Sequence, residues 1–207
     1  MSIEDEIKHL DENTLRLKVI IPLYEVNYHF VEDNHGNSEN GVDILYTFCD
    51  FYSSDRLIGG VLLKAEDIVK SGNTDKDIRT VCNQASEALN NEFTMLHDAG
   101  KLGELYIVTS GDFNHAAKLH ILSRINGGYL FFRFANGRDI ARKIQSTIHC
   151  YNEKYSQNYK FNVDDFRRIC NILRDDRFPS NANDPQIKKY IENPINTNIE
   201  NINEPAL

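Results

Sequence analysis

The sequence predicts a mixed α+β domain in which antiparallel strands come first and a β-α-β-α unit follows. Short apolar segments fill the first third of the chain, a long helical stripe occupies its middle, and strand and helix patterns then alternate. With 41% hydrophobic and 26% charged residues among 207, the composition is that of a globular chain with one sizeable core. We expect a single domain over residues 1–178 and an extended or partly disordered tail, rich in Pro and Asn, over 179–207.

The first part of the chain predicts the antiparallel strands. Residues 2–12 suggest a short acidic helix or a frayed arm. Apolar residues at every second position of 15–23 indicate a half-buried strand, which Pro22 places at an edge or at a bulge. Residues 42–52 are apolar on both faces and predict a central strand, and residues 57–64 complete an antiparallel meander.

The rest of the chain alternates between helical and strand patterns. Apolar residues at helical spacing predict a long helix over 75–99, which Gly100 is expected to end. The elements that follow are, in order, a strand, a helix, a strand and two helices: 105–109, 113–125, 129–134, 138–155 and 163–175.

The two strand-to-helix junctions of the β-α-β-α unit predict an anion site. If its strands are parallel neighbours, both junctions lie at one edge of the sheet, where α/β proteins usually bind ligands. Free N–H groups at the helix starts and one arginine fork favour a phosphate, and Asp112 and His115, one helical turn apart, would orient an imidazole. The same residue types are also ordinary caps and turn residues. The candidate ligand-binding residues are Ser110, Gly111, Asp112, His115, Asn136, Gly137 and Arg138.

A resemblance to a known family rests on three segments. They are Val42-Asp43-Ile44-Leu45, Ile58-Gly59-Gly60-Val61, and a stretch from Gly103-Glu104 through Thr109-x-Gly111 to Ala117-Lys118. Their order is similar to that of elements in macro domains, which bind ADP-ribose. The Asn-Ala-Ala-Asn segment and the second glycine-rich phosphate loop of that family are absent. The resemblance implies a nucleotide-like or ADP-ribose-like ligand at the junctions, and a degenerate binder rather than a hydrolase.

A second alternative is binding of single-stranded nucleic acid. Residues 113–177 contain 12 basic and six acidic residues, with aromatic residues between the basic ones. Cations that follow a phosphate backbone, together with rings that stack on bases, are typical of such binding. The net charge of −8 would weaken it. The candidate residues, besides Arg138, are Lys118, Arg124, Arg133, Arg142 and Lys143.

Charge is divided unevenly between the two halves of the chain. Residues 1–112 carry 21 acidic and nine basic side chains, and residues 113–207 carry 10 and 14. Such asymmetry is typical of surfaces that meet partners, and equally of halves that face each other in the fold or between protomers. The leading hypothesis is a non-enzymatic acidic protein, of inhibitor, immunity or regulatory type, that docks a basic protein partner through its first half. Formation of a homodimer stays open.

No motif in the sequence indicates catalysis, a metal or a cofactor. The four cysteines form no C-x-x-C pair, and the seven histidines form no H-x-x-x-H pair. No segment approaches the roughly 18 apolar residues that cross a bilayer, and the acidic start lacks the pattern of a secretory signal. We therefore expect mostly buried, reduced cysteines, no catalytic or metal-ligating residues, no cofactor, no membrane contact and a cytoplasmic location.

Overall fold

The computed structural model describes residues 2–36, 40–49, 55–69, 76–95, 98–125 and 131–178. Within these residues the strands are β1 Val31–Asp33, β2 Ile44–Cys49, β3 Arg56–Lys64, β4 Phe93–Met95, β5 Asp98–Gly100, β6 Leu102–Thr109 and β7 Phe131–Ala135. The helices are α1 Ile3–Lys8, α2 Glu12–Leu15, a π-helical segment Arg16–Ile20, α3 Ile21–Asn27, α4 Lys76–Asn90, α5 His115–Arg124, α6 Gly137–Tyr155 and α7 Val163–Arg177. The α+β class predicted from the sequence is confirmed.

A mixed sheet of five strands, within the described residues, has the order β1-β2-β3-β6-β7. The first three strands are antiparallel to one another, whereas β3, β6 and β7 run parallel. Strand β3 is therefore the point where antiparallel pairing changes to parallel pairing. An antiparallel meander is present, but its first strand is β1 and not the predicted segment 15–23. The predicted β-α-β-α unit is present with its strands parallel, and β4 and β5 form a separate hairpin.

Helices cover both faces of the sheet. Alternate residues of a strand point to opposite faces, and here the apolar residues on each face pack against helices. Leu62 and Ile107 pack beneath α4 and α5 in one apolar cluster. Leu63 and Val108 pack in a second cluster against the N-terminal helices, α6 and α7, where Phe166 is fully buried. Within the described residues the sheet thus separates two apolar cores.

The three parallel strands end at the same edge of the sheet. Lys64 at the end of β3 pairs with Thr109 at the end of β6, and Val108 pairs with Ala135 at the end of β7. We call this edge the carboxyl edge. Strand β2 runs in the opposite direction, so Asp43, which directly precedes it, lies toward the same edge.

The strand predicted over residues 15–23 is wrong, because this segment is helical. Pro22 lies in the first turn of α3, where a missing N–H removes no helical hydrogen bond. The segment is enclosed between the sheet and α7, so its apolar residues do not form the single stripe of a surface helix. Its buried apolar residues include Leu15, Val19, Ile20 and Leu23.

The helix predicted over residues 75–99 is too long. It ends at Asn90, and Phe93–Met95 and Asp98–Gly100 form the β4–β5 hairpin, so Gly100 lies in a strand and does not end a helix. Phe93 and Met95 are buried on either side of an exposed Thr94, which is the period of a strand. The predicted tail at 179–207 lies outside the described residues.

Two expectations from composition can be compared with the structure. All four cysteines are free; Cys82 and Cys170 are buried, Cys49 is half-buried and Cys150 is exposed. Burial raises the pKa of the Cys170 thiol to about 12, which keeps it protonated and unreactive. None of the described helices is both long and apolar enough to cross a membrane.

Candidate functional site at the carboxyl edge

The structure brings the two predicted junctions together. The Gly137 N–H donates to the carbonyl of Gly111 at 2.9 Å, and Asn136 Nδ2 donates to Asp112 Oδ1 at 3.1 Å. A Cβ atom on Gly137 would lie 2.2 Å from the carbonyl oxygen of Ser110, so only glycine allows this approach. We call residues 110–112 and 136–138 the junction region. Its two segments bond to each other.

The helix starts at the junction region are capped by the chain's own side chains. Asn114 Oδ1 accepts from Ala117 N–H at 2.7 Å at the start of α5. Asn136 and Asp139 cap α6 reciprocally, at 3.1 and 3.2 Å. Some of the backbone N–H groups that an anion would bind are therefore already hydrogen-bonded to these side chains. Anion binding here stays a prediction.

Asp112 and His115 are not arranged as the sequence predicted, and Arg138 is mostly exposed. The N-cap of α5 is Asn114, so Asp112 precedes the helix and does not lie one helical turn from His115. The predicted helical pairing of these residues is therefore wrong. Arg138 Nε lies 3.9 Å from Glu4 Oε2, and the arginine side chain is 63% exposed.

The predicted nucleic-acid residues divide between the two faces of the sheet. Lys118 lies on α5, above the Phe113 ring at 5.3 Å from its centre, and Arg124 ends the same helix. Arg142 and Lys143 lie on α6, which covers the opposite face. These cations therefore do not share one face of the sheet, although binding by either group stays a prediction.

The opposite charges of the two halves partly meet in the fold. Four arginines of the second half lie close to glutamates of the first half. The pairs are Arg133–Glu104 at 3.4 Å, Arg138–Glu4 at 3.9 Å, Arg167–Glu25 at 3.5 Å and Arg174–Glu25 at 3.8 Å. Docking of a basic partner stays a prediction. These pairs reduce the uncompensated negative charge of the first half, on which that prediction depends.

A second polar region, which the sequence patterns did not indicate, lies near the end of β3. Lys64 Nζ is 3.6 Å from Glu12 Oε2 at the start of α2. The lysine side chain is 15% exposed and the glutamate 33%, so both are largely withdrawn from water. Segments 52 positions apart in the chain meet here because the N-terminal helices pack over the edge of the sheet.

Asp43 is the most enclosed member of this region. Its Oδ2 accepts from the Leu63 N–H at 2.6 Å, and its Oδ1 lies 3.4 Å from His35 Nδ1. Because β2 and β3 form an antiparallel hairpin, this contact fixes the carboxylate against the end of β3. We call Glu12, Asp43 and Lys64 the carboxylate–lysine cluster.

The members of the cluster share one electrostatic environment. Burial raises the pKa of the Glu12 carboxyl; Lys64 opposes that shift and the negative Asp43 adds to it. Perturbed carboxyl groups beside a specific charge partner are common at functional sites, although structural ion pairs also perturb pKa values. Ser110 lies beside the cluster: its N–H donates to the Lys64 carbonyl at 3.1 Å, and its buried hydroxyl makes no hydrogen bond within the described residues.

The cluster contains two carboxylates and one ammonium group, each of which already has a partner within the protein. Among the described residues no three side chains of His, Cys, Asp or Glu are arranged to hold a metal ion by themselves. A divalent cation would therefore need water or substrate oxygens to complete its coordination. A sequence signal for the cluster does exist, since Asp43 and Lys64 are charges that bound strongly apolar strand segments.

Comparison with models of known protein families, with curated proteins and with solved structures gives no match. The geometry of the described residues is therefore the basis for the functional argument.

Proposed function

We propose that the protein is a divalent-cation-dependent hydrolase of phosphodiesters, with the carboxylate–lysine cluster as its active site. The observation that carries the proposal is the 3.6 Å approach of Lys64 Nζ to Glu12 Oε2 beside the buried Asp43. Mg²⁺ is usually bound through one or two carboxylates and completes its octahedron with water and phosphate oxygens. Two protein carboxylates are therefore sufficient for a cation that binds together with a phosphate ester.

The residues of the cluster have distinct roles in this reaction. A divalent cation held by Glu12 and Asp43 would supply an acidified water molecule and would withdraw charge from the phosphate oxygens. Lys64, oriented by Glu12, donates hydrogen bonds to those oxygens and stabilises the charge that develops at phosphorus. The attacking water forms the new P–O bond and releases one proton to bulk water. The bond from phosphorus to the leaving oxygen breaks, and that oxygen takes up a proton from bulk water. Asp43, fixed by the Leu63 N–H, would hold one carboxylate ligand of the cation in place.

The position of the cluster in the fold supports a ligand site. Crevices at the carboxyl ends of strands are where open α/β sheets bind ligands, and β3 and β6 end here side by side. The first turns of α6, which follows the neighbouring end of β7, carry the exposed Arg138 and Arg142. Cations at this position would interact with the phosphates of an extended strand, which supports nucleic acid as the substrate.

The proposal is tested by measuring cation-dependent hydrolysis with the full-length chain. The substrates are bis(p-nitrophenyl) phosphate and an end-labelled single-stranded DNA, each with Mg²⁺ or Mn²⁺ and with EDTA. We expect cleavage that needs the cation and falls about 10²–10³-fold in Lys64→Met, because an oriented donor to the reacting phosphate is lost.

A matched control separates this effect from the loss of any ion pair. Lys154 near the end of α6 lies 3.2 Å from Asp176, and Lys154→Met removes a lysine–carboxylate pair that is distant in the chain from the cluster. This variant should keep the wild-type rate. Absence of cation-dependent cleavage of both substrates by the wild type, or full activity of Lys64→Met, would contradict the proposal.

A further inference from the structure

A cavity of about 300 Å³ lies between α3, α6 and the strands β6 and β7. Its volume is at the lower end of the range for small-molecule sites. Apolar side chains including Leu23, Val108 and Ile140 form part of its wall, and Tyr24, Tyr28 and Tyr106 line the rest. We call it the tyrosine cavity. It shares no lining residue with the carboxylate–lysine cluster, so inferences about it do not depend on the proposed hydrolase.

The three tyrosine rings form a packed aromatic surface. The Tyr24 and Tyr28 rings are stacked, with centres 5.5 Å apart and planes at 26°, and Tyr106 meets Tyr24 edge-on at 6.2 Å and 87°. Arg133 lies 5.8 Å from the centre of the Tyr106 ring and forms an ion pair with Glu104, which helps to hold this wall in place. Rings fixed in this way favour a flat partner, which can stack or meet them edge-on.

The hydroxyl groups of these tyrosines make no hydrogen bond to another residue within the described part of the chain. Tyr46, which packs against Tyr24 and Tyr28, donates to Glu104 at 2.7 Å, whereas Tyr24, Tyr28 and Tyr106 are half-buried side chains without such a bond to a described residue. Their hydroxyls are therefore open to water at the cavity, and a ligand that supplies acceptors can replace that water. Burial raises the pKa of each of the three phenols, which keeps them protonated as donors.

The charges among the lining residues favour a ligand without net charge. Asp139 and Lys143 both line the cavity from α6 and carry opposite charges. A strongly anionic or cationic compound would gain from one of these side chains and be repelled by the other.

We propose that the tyrosine cavity binds an uncharged planar heteroaromatic compound of the nucleobase or nucleoside class. The ring of the ligand packs against the tyrosine rings, and its nitrogen and carbonyl acceptors take hydrogen bonds from the hydroxyls of Tyr24, Tyr28 and Tyr106.

The test measures binding of adenosine, guanosine, cytidine and uridine to the full-length chain by calorimetry and by saturation-transfer NMR, with ribose as the non-aromatic control. We expect at least one nucleoside to bind with a Kd below about 1 mM. Tyr28→Phe and Tyr106→Phe keep the rings and remove one hydroxyl each, so each should weaken binding about three- to tenfold. Tyr151→Phe, in the separate Tyr151–Tyr155 ring pair, should leave the affinity unchanged.

The phenylalanine variants preserve packing, so circular dichroism and a thermal melt can establish that they remain folded. The proposal is overturned if no nucleoside binds up to about 10 mM. It is also overturned if ribose binds as well as the nucleosides do, or if the Tyr28→Phe, Tyr106→Phe double variant keeps the wild-type affinity. Because no cation or phosphate is present in this experiment, its failure would leave the proposed hydrolase unaffected.

Discussion

The junction region and the carboxylate–lysine cluster lie at the same edge of the sheet but are built differently. In the junction region, polar side chains bond to neighbours in sequence or to the adjoining segment, as Asn136 does with Asp139 and Asp112. In the cluster, Glu12 and Lys64 come from distant segments and meet through tertiary packing. Polar residues at turn positions can therefore serve mainly to build the fold. Charges withdrawn from water between apolar elements are better candidates for chemistry.

The largest effect is expected from removing the charge of Asp43 while keeping its shape. Asp43→Asn retains an oxygen that can accept from the Leu63 N–H but loses the negative charge that a cation needs. Hydrolysis in the presence of Mn²⁺ should fall about 10²-fold or more, while the unfolding midpoint in urea changes little. Hydrolysis assays and urea denaturation check both parts, and a variant that is unfolded in buffer would assign Asp43 a structural role.

The opposite pattern is expected in the junction region for Gly137→Ala. The new Cβ atom would lie 2.2 Å from a backbone oxygen that cannot rotate away, so the free energy of unfolding should fall by about 1–3 kcal/mol. Once the variant is folded, its hydrolytic rate should stay close to that of the wild type. Urea denaturation and the hydrolysis assay measure the two effects. Unchanged stability with lost hydrolysis would reverse the assignment of the two regions.

A smaller effect is expected in the pH dependence of stability. The pKa of Glu12 is raised on folding, so this group favours the folded state below its ordinary value of 4.5, and that contribution is lost as pH rises through the raised pKa. Glu12→Gln cannot titrate, so the stability of the wild type should decline relative to the variant over this window. Thermal melts at a series of pH values without divalent cations measure the difference. Parallel curves for the two proteins would mean that Glu12 does not titrate as described.

The smallest effect is expected for Arg138→Ala. Its guanidinium group is mostly exposed and 3.9 Å from Glu4, and exposed pairs of this kind contribute about 0–1 kcal/mol. The variant should keep its stability and its hydrolysis of bis(p-nitrophenyl) phosphate, because neither depends on a surface cation. A separate calorimetric titration tests the anion site predicted at the junctions: loss of binding to a phosphorylated nucleotide in Arg138→Ala would support that site.

Most of the sheet could be predicted from the sequence because its strands have clear local patterns. The predicted segments 42–52, 57–64, 105–109 and 129–134 correspond to β2, β3, β6 and β7, and three of the last four helices were placed within a few residues. Local patterns failed over 15–23, where burial on more than one side gives a helix an apparent period of two.

The cluster could not be predicted for a different reason. Asp43 and Lys64 appear in the sequence only as charges at the ends of two separate apolar segments, and Glu12 as part of an acidic N-terminal segment. Only the hairpin register and the packing of the N-terminal helices bring the three together. Spacing rules for metal ligands do not detect such a set, because each of its members comes from a different element.

Whether the carboxylate–lysine cluster binds a cation can be measured through Mn²⁺ binding, followed by the paramagnetic resonance signal of the free ion. The full-length wild type should bind Mn²⁺ more tightly when a non-hydrolysable phosphodiester analogue is present. Affinity should fall at least about tenfold in Asp43→Asn and in Glu12→Gln, and should be unchanged in Lys154→Met. Equal binding by the wild type and Asp43→Asn, or no binding with the analogue present, would contradict the assignment of the carboxylate–lysine cluster as a cation site.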